Sequence, residues 1–507
     1  DRYRLNRRLL ETITLDEVNA VVGQYYVDRN RDIIVLGPER DKGRLPDEET
    51  VLGWLAAVRE SEIMPYEDVE QEAALMEQLP EPGSVRQRRE IPALGVTELV
   101  LSNGVTVVLK PTDFKNDDIR MVAYSPGGSS GYSDEDYLNA LYAPTVVGSS
   151  GVGPFDANQM YKFISGKNVD INLFINERTE GFQASSGQKD VRTMFELIYS
   201  FLTAPRIDIT VFNGYMQRLN AALANRADDP YAVFGDTINA VLYNNNIRRN
   251  SLTVEQVDRI DPARAFEIYR ERFADASDFT VTIVGSFKEE EIMPLVLQYI
   301  GSLPIVERVD EPVDLGIYPP EKGLRRTVYR GKEQKATVQL YYFGAYNYSE
   351  EENLLLDALR NVLENKLRER LREEESGVYN VGVSASYAKV PRERYSIGIG
   401  YGTSPEMVDY LLTAAMEEID KIKTGGPDQV DVDKFVSEQR RGLEVQLRDN
   451  GFWLGYLSGM YENKEDISFI LRYNDELNKV TPERVKAIAN KYLLQDRMFT
   501  FVLMPAQ

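Results

Sequence analysis

Apolar residues recur along the chain with two spacings, one typical of helices and one typical of strands. After Thr14 they fall at positions i, i+3, i+4, i+7 and i+8, which places Val18, Val22 and Tyr25 on one stripe of a helix. A short polar stretch follows, and residues 33–36 (IIVL) are then typical of a β-strand, because β-branched residues favour extended backbone. The pattern predicts a helix followed by a strand.

This helix–strand unit occurs three times in the sequence. Residues 14–38 align without a gap to residues 481–505, and residues 261–285 align without a gap to that last copy. Each copy opens on a residue that can cap a helix, and two copies have proline at the first helical position. The capping residues are Thr14, Asp261 and Thr481, and the prolines are Pro262 and Pro482. A repeat at this long period indicates homologous domains, each ending on the unit.

A second correspondence links the two complete domains. Residues 168–202 and 378–419 both read as strand, turn, strand and helix. The sequence therefore predicts an α+β fold, in which each complete domain packs helices on a mostly antiparallel sheet. The predicted layout is the helix–strand tail of an upstream homologous domain (residues 1–40), a linker (41–94) and two complete homologous domains (95–303 and 324–507).

Three local signals refine this picture. Asn103 and Gly104 stand between two apolar runs, which predicts a β-hairpin with a type I′ turn. Gly398, Gly400 and Gly402 alternate within a strand and so share one face of it. That spacing favours a thin sheet face or a close backbone approach over a nucleotide-binding loop, whose glycines would lie in the turn itself. Residues 245–250 indicate only a polar loop.

The composition excludes several kinds of chemistry. The 507 residues contain no histidine and no cysteine, and catalytic zinc is held by these residues together with carboxylates. A self-contained zinc site is therefore not expected, and a Ser-His-Asp triad, a cysteine nucleophile and a disulfide framework are ruled out. Ser386-x-x-Lys389 and the K-T-G at residues 423–425 do not make a serine acyltransferase, because the serine ends a strand and the motifs lie too close together.

The charge balance bears on possible partners. The formal net charge is −22 at pH 7, which would repel a phosphate backbone, so no nucleic-acid partner is expected. An acidic surface suits basic or unfolded peptides, but it also serves solubility alone. No apolar run reaches the roughly 18 residues of a membrane span, and no signal peptide is visible.

One charged segment carries a resemblance to a known family. Arg372 lies in the last turn of a helix predicted over residues 351–375, and Tyr379 enters the following strand. By themselves they are a solvated charge and an ordinary sheet residue. The stretch LREEESGVY that contains them, however, resembles the Arg-x6-Tyr element of the pitrilysin family, the inverted-zincin peptidases that include insulysin. The paired domains and the linker fit as well, so the resemblance covers essentially the whole chain, and most resembles bacterial members with four such domains.

The resemblance implies two halves of two homologous domains each, closing around a chamber. In the family the first domain carries H-x-x-E-H and a distal Glu; two His and that Glu hold zinc, and the motif Glu activates water. The second half brings an Arg and a Tyr to the substrate backbone, and the matching positions are Arg372 and Tyr379. In this chain the motif would fall near residues 136–148, which read DYLNALYAPTVVG and hold no ligand where the two His belong.

These inferences lead to one expected function and one alternative. The chain is expected to be the non-catalytic C-terminal half of a zinc endopeptidase, with no catalytic residue or metal ligand of its own. Its expected partners are a peptide substrate and an N-terminal half that carries H-x-x-E-H and the zinc, with the bacterial periplasm favoured over the cytoplasm. The alternative is a catalytically dead relative that binds peptides or scaffolds a complex. An intact upstream H-x-x-E-H would favour the enzyme.

Overall fold

In the computed structural model the chain divides into two units, Asp1–Ala73 and Ala74–Gln507. The described residues are 2–27, 29–62, 74–306, 308 and 310–506. Residues 63–73 of the predicted linker thus lie outside the described residues.

The described part of the N-terminal unit contains helices and no strand. Its helices are α1 (Arg2–Thr12), α2 (Leu15–Tyr25) and α3 (Glu48–Glu60), with a 3-10 turn at Glu39–Arg44. Thr14 caps α2 as predicted, because its hydroxyl oxygen accepts a hydrogen bond from the amide of Glu17. The strand predicted at residues 33–36 is not formed: a strand needs a neighbour to pair with, and the described residues of this unit contain none.

Residues 85–285 contain a seven-stranded sheet, called the first sheet below. Its strands are β1 (Val85–Ile91), β2 (Val96–Leu101), β3 (Thr106–Pro111), β4 (Ile119–Pro126), β5 (Val169–Ile175), β6 (Thr179–Ser186) and β7 (Thr280–Gly285). They lie in the order β1-β2-β3-β7-β4-β6-β5, and every pair except the parallel β3–β7 is antiparallel. The accompanying helices are α4 (Tyr137–Ser149), α5 (Ala157–Ile164), α6 (Val191–Thr203), α7 (Ile209–Ala224), α8 (Pro230–Leu242), α9 (Val254–Val257), α10 (Pro262–Phe273) and α11 (Glu289–Leu295).

Residues 325–504 contain a five-stranded sheet, called the second sheet below. Its strands are β8 (Arg325–Tyr329), β9 (Ala336–Ala345), β10 (Val381–Ala388), β11 (Arg394–Thr403) and β12 (Met498–Met504), in the order β10-β11-β9-β12-β8. Only the β12–β8 pair is parallel, so the predicted α+β fold with mostly antiparallel sheets is confirmed. Its helices are α12 (Glu350–Arg368), α13 (Val408–Gly425), α14 (Gln429–Gln446), α15 (Asn450–Glu462), α16 (Phe469–Leu477) and α17 (Pro482–Tyr492). No helix in the described part of the chain has the length and apolar character needed to span a membrane.

The repeated helix–strand unit occupies the same place in both sheets. The Asp261 side chain caps α10, which leads into β7, and the Thr481 side chain caps α17, which leads into β12. β7 lies between parallel β3 and antiparallel β4, and β12 lies between parallel β8 and antiparallel β9. The two sheets are therefore built on one plan.

Each sheet has one face covered by a helix from the other sheet's part of the chain. The main core of each sheet lies between one face of the sheet and helices from its own part of the chain. On the opposite face, α15 packs against the first sheet and α8 packs against the second sheet. The first contact contains Val108, Val284, Trp453 and Leu457, and the second contains Phe234, Ile238, Phe499 and Phe501. Because burial of apolar surface is the main stabilising term, this exchange joins the two sheets into one body.

The hairpin predicted at Asn103 and Gly104 is formed by β2 and β3, but its turn is not type I′. A type I′ turn needs positive φ at both central residues, and of these two only Gly104 has it, at 95°. The Gly104 amide donates to the carbonyl of Leu101 at 3.0 Å, as in a three-residue loop that ends on a left-handed glycine. Asn103 serves a tertiary contact instead: its side-chain amide donates to the carbonyl oxygens of Ile300 and Leu303.

Candidate functional site

The two predicted site residues flank the point where α12 gives way to β10. The Ser349 hydroxyl oxygen caps α12 by accepting from the amide of Glu352, and the helix buries a leucine-rich face against the second sheet. Its last turn continues as a π-helical segment, Glu369–Glu374, which carries Arg372. Such segments are rare and occur frequently at functional sites.

The turn after this segment is fixed from several directions. Ser376 adopts a positive φ of 51°, and the amide of Gly377 donates to the carbonyl of Leu371 at 3.0 Å. The Thr403 hydroxyl donates to the carbonyl of Gly377 at 2.8 Å. A Cβ at Gly377 would lie only 2.7 Å from a methyl carbon of Leu411, so this position packs directly on α13. The backbone that leads into β10 is therefore held in place.

Two arginines of the π-helical segment have different surroundings. Arg370 forms ion pairs with three carboxylates and so ties the helix end to α13; the partners are Glu374, Glu375 and Glu417. The Arg372 side chain is 49% exposed, and its Nε lies 3.7 Å from Oε1 of Glu373, beyond hydrogen-bond distance. Arg372 forms no other ion pair or hydrogen bond within the described residues, so its guanidinium is available to a ligand.

Tyr379 is presented to solvent. It is 90% exposed, although its neighbour Val378 is buried and anchors the backbone. The strand begins two residues later, at Val381, rather than at Val378 as the sequence suggested. No hydrogen bond joins Tyr379 to Arg372 in the described part of the chain, so each side chain projects separately from the same pinned segment.

The strand that follows Tyr379 has an open edge. β10 pairs with β11 on one side, and its other side has no strand partner among the described residues. On the outer face, side chains of the neighbouring strands lie over two of the alternating glycines: a Cβ at Gly398 would lie 2.8 Å from the Ser384 hydroxyl, and one at Gly400 would lie 2.6 Å from the side-chain amide of Gln339. Unpaired backbone groups of this kind can bind an extended peptide by adding it to the sheet.

The place where a zinc motif would fall is filled by apolar core. α4 covers this position, and Leu138, Ala143 and Val147 point inward from it. Its one buried polar side chain, Asn139, accepts a hydrogen bond from the amide of Asp261 at 2.9 Å. No cluster of three or more potential metal ligands occurs in the described residues. The residues of α4 therefore do not fit a catalytic zinc site.

Residues 245–250, which the sequence marked only as a polar loop, contain a buried anchor. Arg248 forms an ion pair with Asp134 at 2.8 Å and donates to the carbonyl oxygens of Ser129 and Tyr132. Its guanidinium also lies 4.8 Å from the ring centre of Tyr137. The only signal in the sequence is an arginine pair among asparagines, and it does not distinguish a buried arginine from a solvated one.

Comparison with known proteins identifies part of this fold. Residues 261–438 match the family model described as the peptidase M16 inactive domain. A protein named zinc protease PQQL-like, from Arabidopsis thaliana, is 27% identical over 425 residues, which cover 79% of this chain and 42% of that protein. The chain spans about half the length of the curated relatives it matches.

Solved protease structures share the fold. The periplasmic protease PqqL from Escherichia coli matches with a TM-score of 0.77 and 20% identity, covering 99% of this chain and 56% of that chain. The separately solved first half of that protease matches with a TM-score of 0.67 and 13% identity, covering 84% of this chain and 93% of that chain. The family match and the sequence relatives confirm the predicted resemblance to zinc peptidases, and the solved structures show that the fold is shared, including with the first half of PqqL.

Proposed function

We propose, from the match of residues 261–438 to the inactive domain of the M16 peptidases, that this chain is the non-catalytic half of a zinc endopeptidase. In this proposal it encloses a peptide substrate together with a catalytic half and contacts the substrate backbone near the bond to be cut. The zinc and the H-x-x-E-H motif belong to the catalytic half, where they would supply the activated water.

The observation that carries this proposal is the presentation of Arg372 and Tyr379. Both side chains project from a backbone held by Gly377 and Thr403, and neither is engaged by a hydrogen bond within the described residues. Groups that must meet a reacting atom depend on a fixed support of this kind, because a small misplacement lowers the rate strongly.

The chemistry of these two side chains suits the proposed role. A guanidinium N–H and a phenol O–H both donate hydrogen bonds, and the peptide carbonyl oxygen gains negative charge as water adds to its carbon. Donors aimed at that oxygen stabilise the transition state more than the ground state, which is the requirement for a faster reaction. Closure of the two halves would bring the donors to the substrate and exclude bulk water.

The proposed partner is a half built on the same plan. Residues 1–40 would close its last domain, residues 41–94 would link the halves, and residues 95–303 and 324–507 would form the two domains of this half. The repeat supports this layout, because residues 33–36 correspond to the central strands β7 and β12. The α2 residues Val18, Val21 and Val22 are 43–54% exposed, whereas the corresponding stripe of α17 is buried.

A periplasmic location is part of the proposal. It is supported by the shared fold with PqqL of Escherichia coli, which is a periplasmic protease. The absence of cysteine is compatible with an oxidising compartment, because no thiol is exposed to unwanted pairing there.

The test uses the complete protease with both halves present. Arg372→Ala and Tyr379→Phe are each expected to lower kcat about tenfold or more, because each removes one donor to the transition state. Arg326→Ala and Tyr329→Phe, which alter exposed residues of β8, serve as matched controls with unchanged kcat. Zinc content, measured on the same samples, should stay equal in all four variants.

Two results would contradict the proposal. One is unchanged kcat in both site variants; the other is equal loss in site and control variants, which would indicate a general structural effect. A complete protein that binds peptides through this half without any turnover would support the catalytically dead relative instead.

A further inference from the structure

A cavity lies where the two sheets' parts of the chain meet, away from Arg372 and Tyr379. Its volume is about 200 Å³, the space of roughly six or seven water molecules at about 30 Å³ each. The outer face of the second sheet forms its floor, and the loop after α8 and residues 317–319 form its walls. The side chains that matter most are Tyr243, Arg249, Phe343, Ser386, Arg394 and Ser396.

Two arginines of this cavity differ in their partners. Arg249 is already paired with a carboxylate, since its Nη1 lies 2.5 Å from Oε2 of Glu177. Arg394 stacks on the ring of Tyr318 at 5.2 Å, and its side chain makes no ion pair or hydrogen bond within the described residues, although the Asp314 carboxylate acts on it electrostatically. Its planar fork of N–H donors therefore remains free for one more anion, and that fork fits a carboxylate with two parallel hydrogen bonds.

The carboxylate that acts on Arg394 is engaged by other groups. The nearest carboxylate on the same wall, Asp314, accepts hydrogen bonds from the Tyr318 hydroxyl at 2.6 Å and the Gly316 amide. It lies 3.7 Å from Arg392, too far for a hydrogen bond. Arg249 and Arg392 thus each have a carboxylate beside them, Glu177 and Asp314, whereas Arg394 has none within ion-pair distance in the described part of the chain.

A pair of serines adds neutral donors at the cavity floor. The hydroxyl oxygens of Ser386 on β10 and Ser396 on β11 lie 2.7 Å apart. One of their two hydrogens makes that bond, so the other is free to donate to a ligand. An oxyanion between these hydroxyls and the Arg394 guanidinium would be satisfied on both sides.

We propose that this cavity binds the C-terminal carboxylate of a peptide substrate. The inference rests on the proposed function and names a second contact for the same peptide. β10 has eight residues, or about 26 Å at the rise of a strand, with Tyr379 just before its start and Ser386 near its end. An extended peptide on the open edge of β10 would thus reach from the Tyr379 end to the cavity, which has space for about one terminal residue.

The test measures peptide binding by the 507-residue chain itself, without turnover. Fluorescein-labelled octapeptides of serine, alanine and glycine are prepared with a free carboxylate, with a C-terminal amide, and as an amide carrying one internal glutamate. Fluorescence anisotropy should show the free carboxylate binding about tenfold or more tightly than the plain amide. Arg394→Met should remove that preference, and Arg326→Met, which alters an exposed arginine of β8, should keep it.

Each other outcome overturns the inference in a distinct way. Equal binding of carboxylate and amide removes the carboxylate site but leaves peptide binding, and with it the proposed function, in place. Tight Arg394-dependent binding of the glutamate peptide would assign the cavity to acidic side chains instead of chain ends. Binding of none of the three peptides would also end the inference, while the kcat measurements on Arg372 and Tyr379 decide the proposed function independently.

Discussion

Arg370 and Arg372 stand two positions apart in one π-helical segment, and their neighbours separate their roles. Glu417, one partner of Arg370, belongs to α13 and is brought close only by the tertiary fold. The run KLRERLREEE therefore gave no reason to distinguish the two arginines. The resemblance to a family selected Arg372 for the site, and the structure adds a physical reason, since Arg372 lacks the partners that hold Arg370 in place.

A half-buried carboxyl on α12, that of Asp357, makes stability depend on pH. Burial raises the pKa of the Asp357 carboxyl to about 6, although a hydrogen bond from the Tyr387 hydroxyl at 3.3 Å favours its ionised form. This pKa exceeds the value of about 3.9 that an aspartate has in an unfolded chain. The stability that Asp357 allows is therefore complete only below about pH 4, where its carboxyl is neutral in both states. That stability is lost as the pH rises through about 6, and the ionised carboxylate then costs the folded state up to about 3 kcal/mol.

Asp357→Asn is therefore expected to raise the free energy of unfolding, and to do so more at pH 8 than at pH 5 by about 1 kcal/mol. Asparagine keeps an oxygen that can accept from Tyr387 but carries no charge. Urea denaturation at both pH values measures the difference. Tyr387→Phe should lower stability more at pH 8, because it removes the donor to the ionised carboxylate. An Asp357→Asn gain that is the same at both pH values would contradict this account.

Elements whose signals are local were predicted well, and those that depend on a distant neighbour were not. Caps at Thr14, Asp261 and Thr481 form within one turn of helix, so the sequence suffices to find them. β1 was missed because its run RQRRE is charged and exposed, and the strand forms by pairing with β2. Residues 33–36 have the composition of a strand, yet they have no strand partner among the described residues of their own unit.

The turn that presents Tyr379 offers a matched pair of neighbouring substitutions. Ser376→Gly should raise the free energy of unfolding by roughly 0.5–1 kcal/mol, because glycine adopts positive φ without steric cost. Gly377→Ala should lower it by about 1–2 kcal/mol, because the new methyl would overlap Leu411. Thermal or urea denaturation of the two variants gives both values. A stable Gly377→Ala variant would show that the turn is not held against α13.

At the scale of the whole molecule, the repeat predicted two similar sheets but not how they are covered. The stripes on α8 and α15 are apolar in sequence, and nothing in one sequence says which sheet each helix meets. Lys110 on β3 shows the effect of this covering on one side chain. Its Nζ donates to the carbonyl of Leu94 and lies 3.9 Å from the ring centre of Trp453, on the helix α15 that covers the first sheet. Burial lowers the pKa of Lys110 to about 8.

The exchange of α8 and α15 predicts that both sheets unfold together. Leu457→Ala should lower the free energy of unfolding by about 3 kcal/mol, because it leaves a cavity against the first sheet. The chain has two tryptophans, so Trp54→Phe leaves Trp453 as the single reporter of this contact. The fluorescence of Trp453 and the hydrogen exchange of the β12 amides are each followed against urea concentration. Both should give the same unfolding midpoint.

The control for this experiment is Leu471→Ala on α16. Leu471 is exposed, so its loss should cost less than about 0.5 kcal/mol. Separate midpoints for the Trp453 signal and for β12, or an unchanged stability of Leu457→Ala, would show that the two sheets are independent of each other.

The shared covering helices also decide how a gene for this protein can be shortened. The matched family segment, residues 261–438, begins at the cap of α10 and stops inside α14, so it carries one strand of the first sheet and omits both α15 and β12. A truncated product ending there would display bare apolar sheet surface and is expected to be insoluble on expression. The shortest fragment that retains both covered faces runs from the start of β1 to the end of β12.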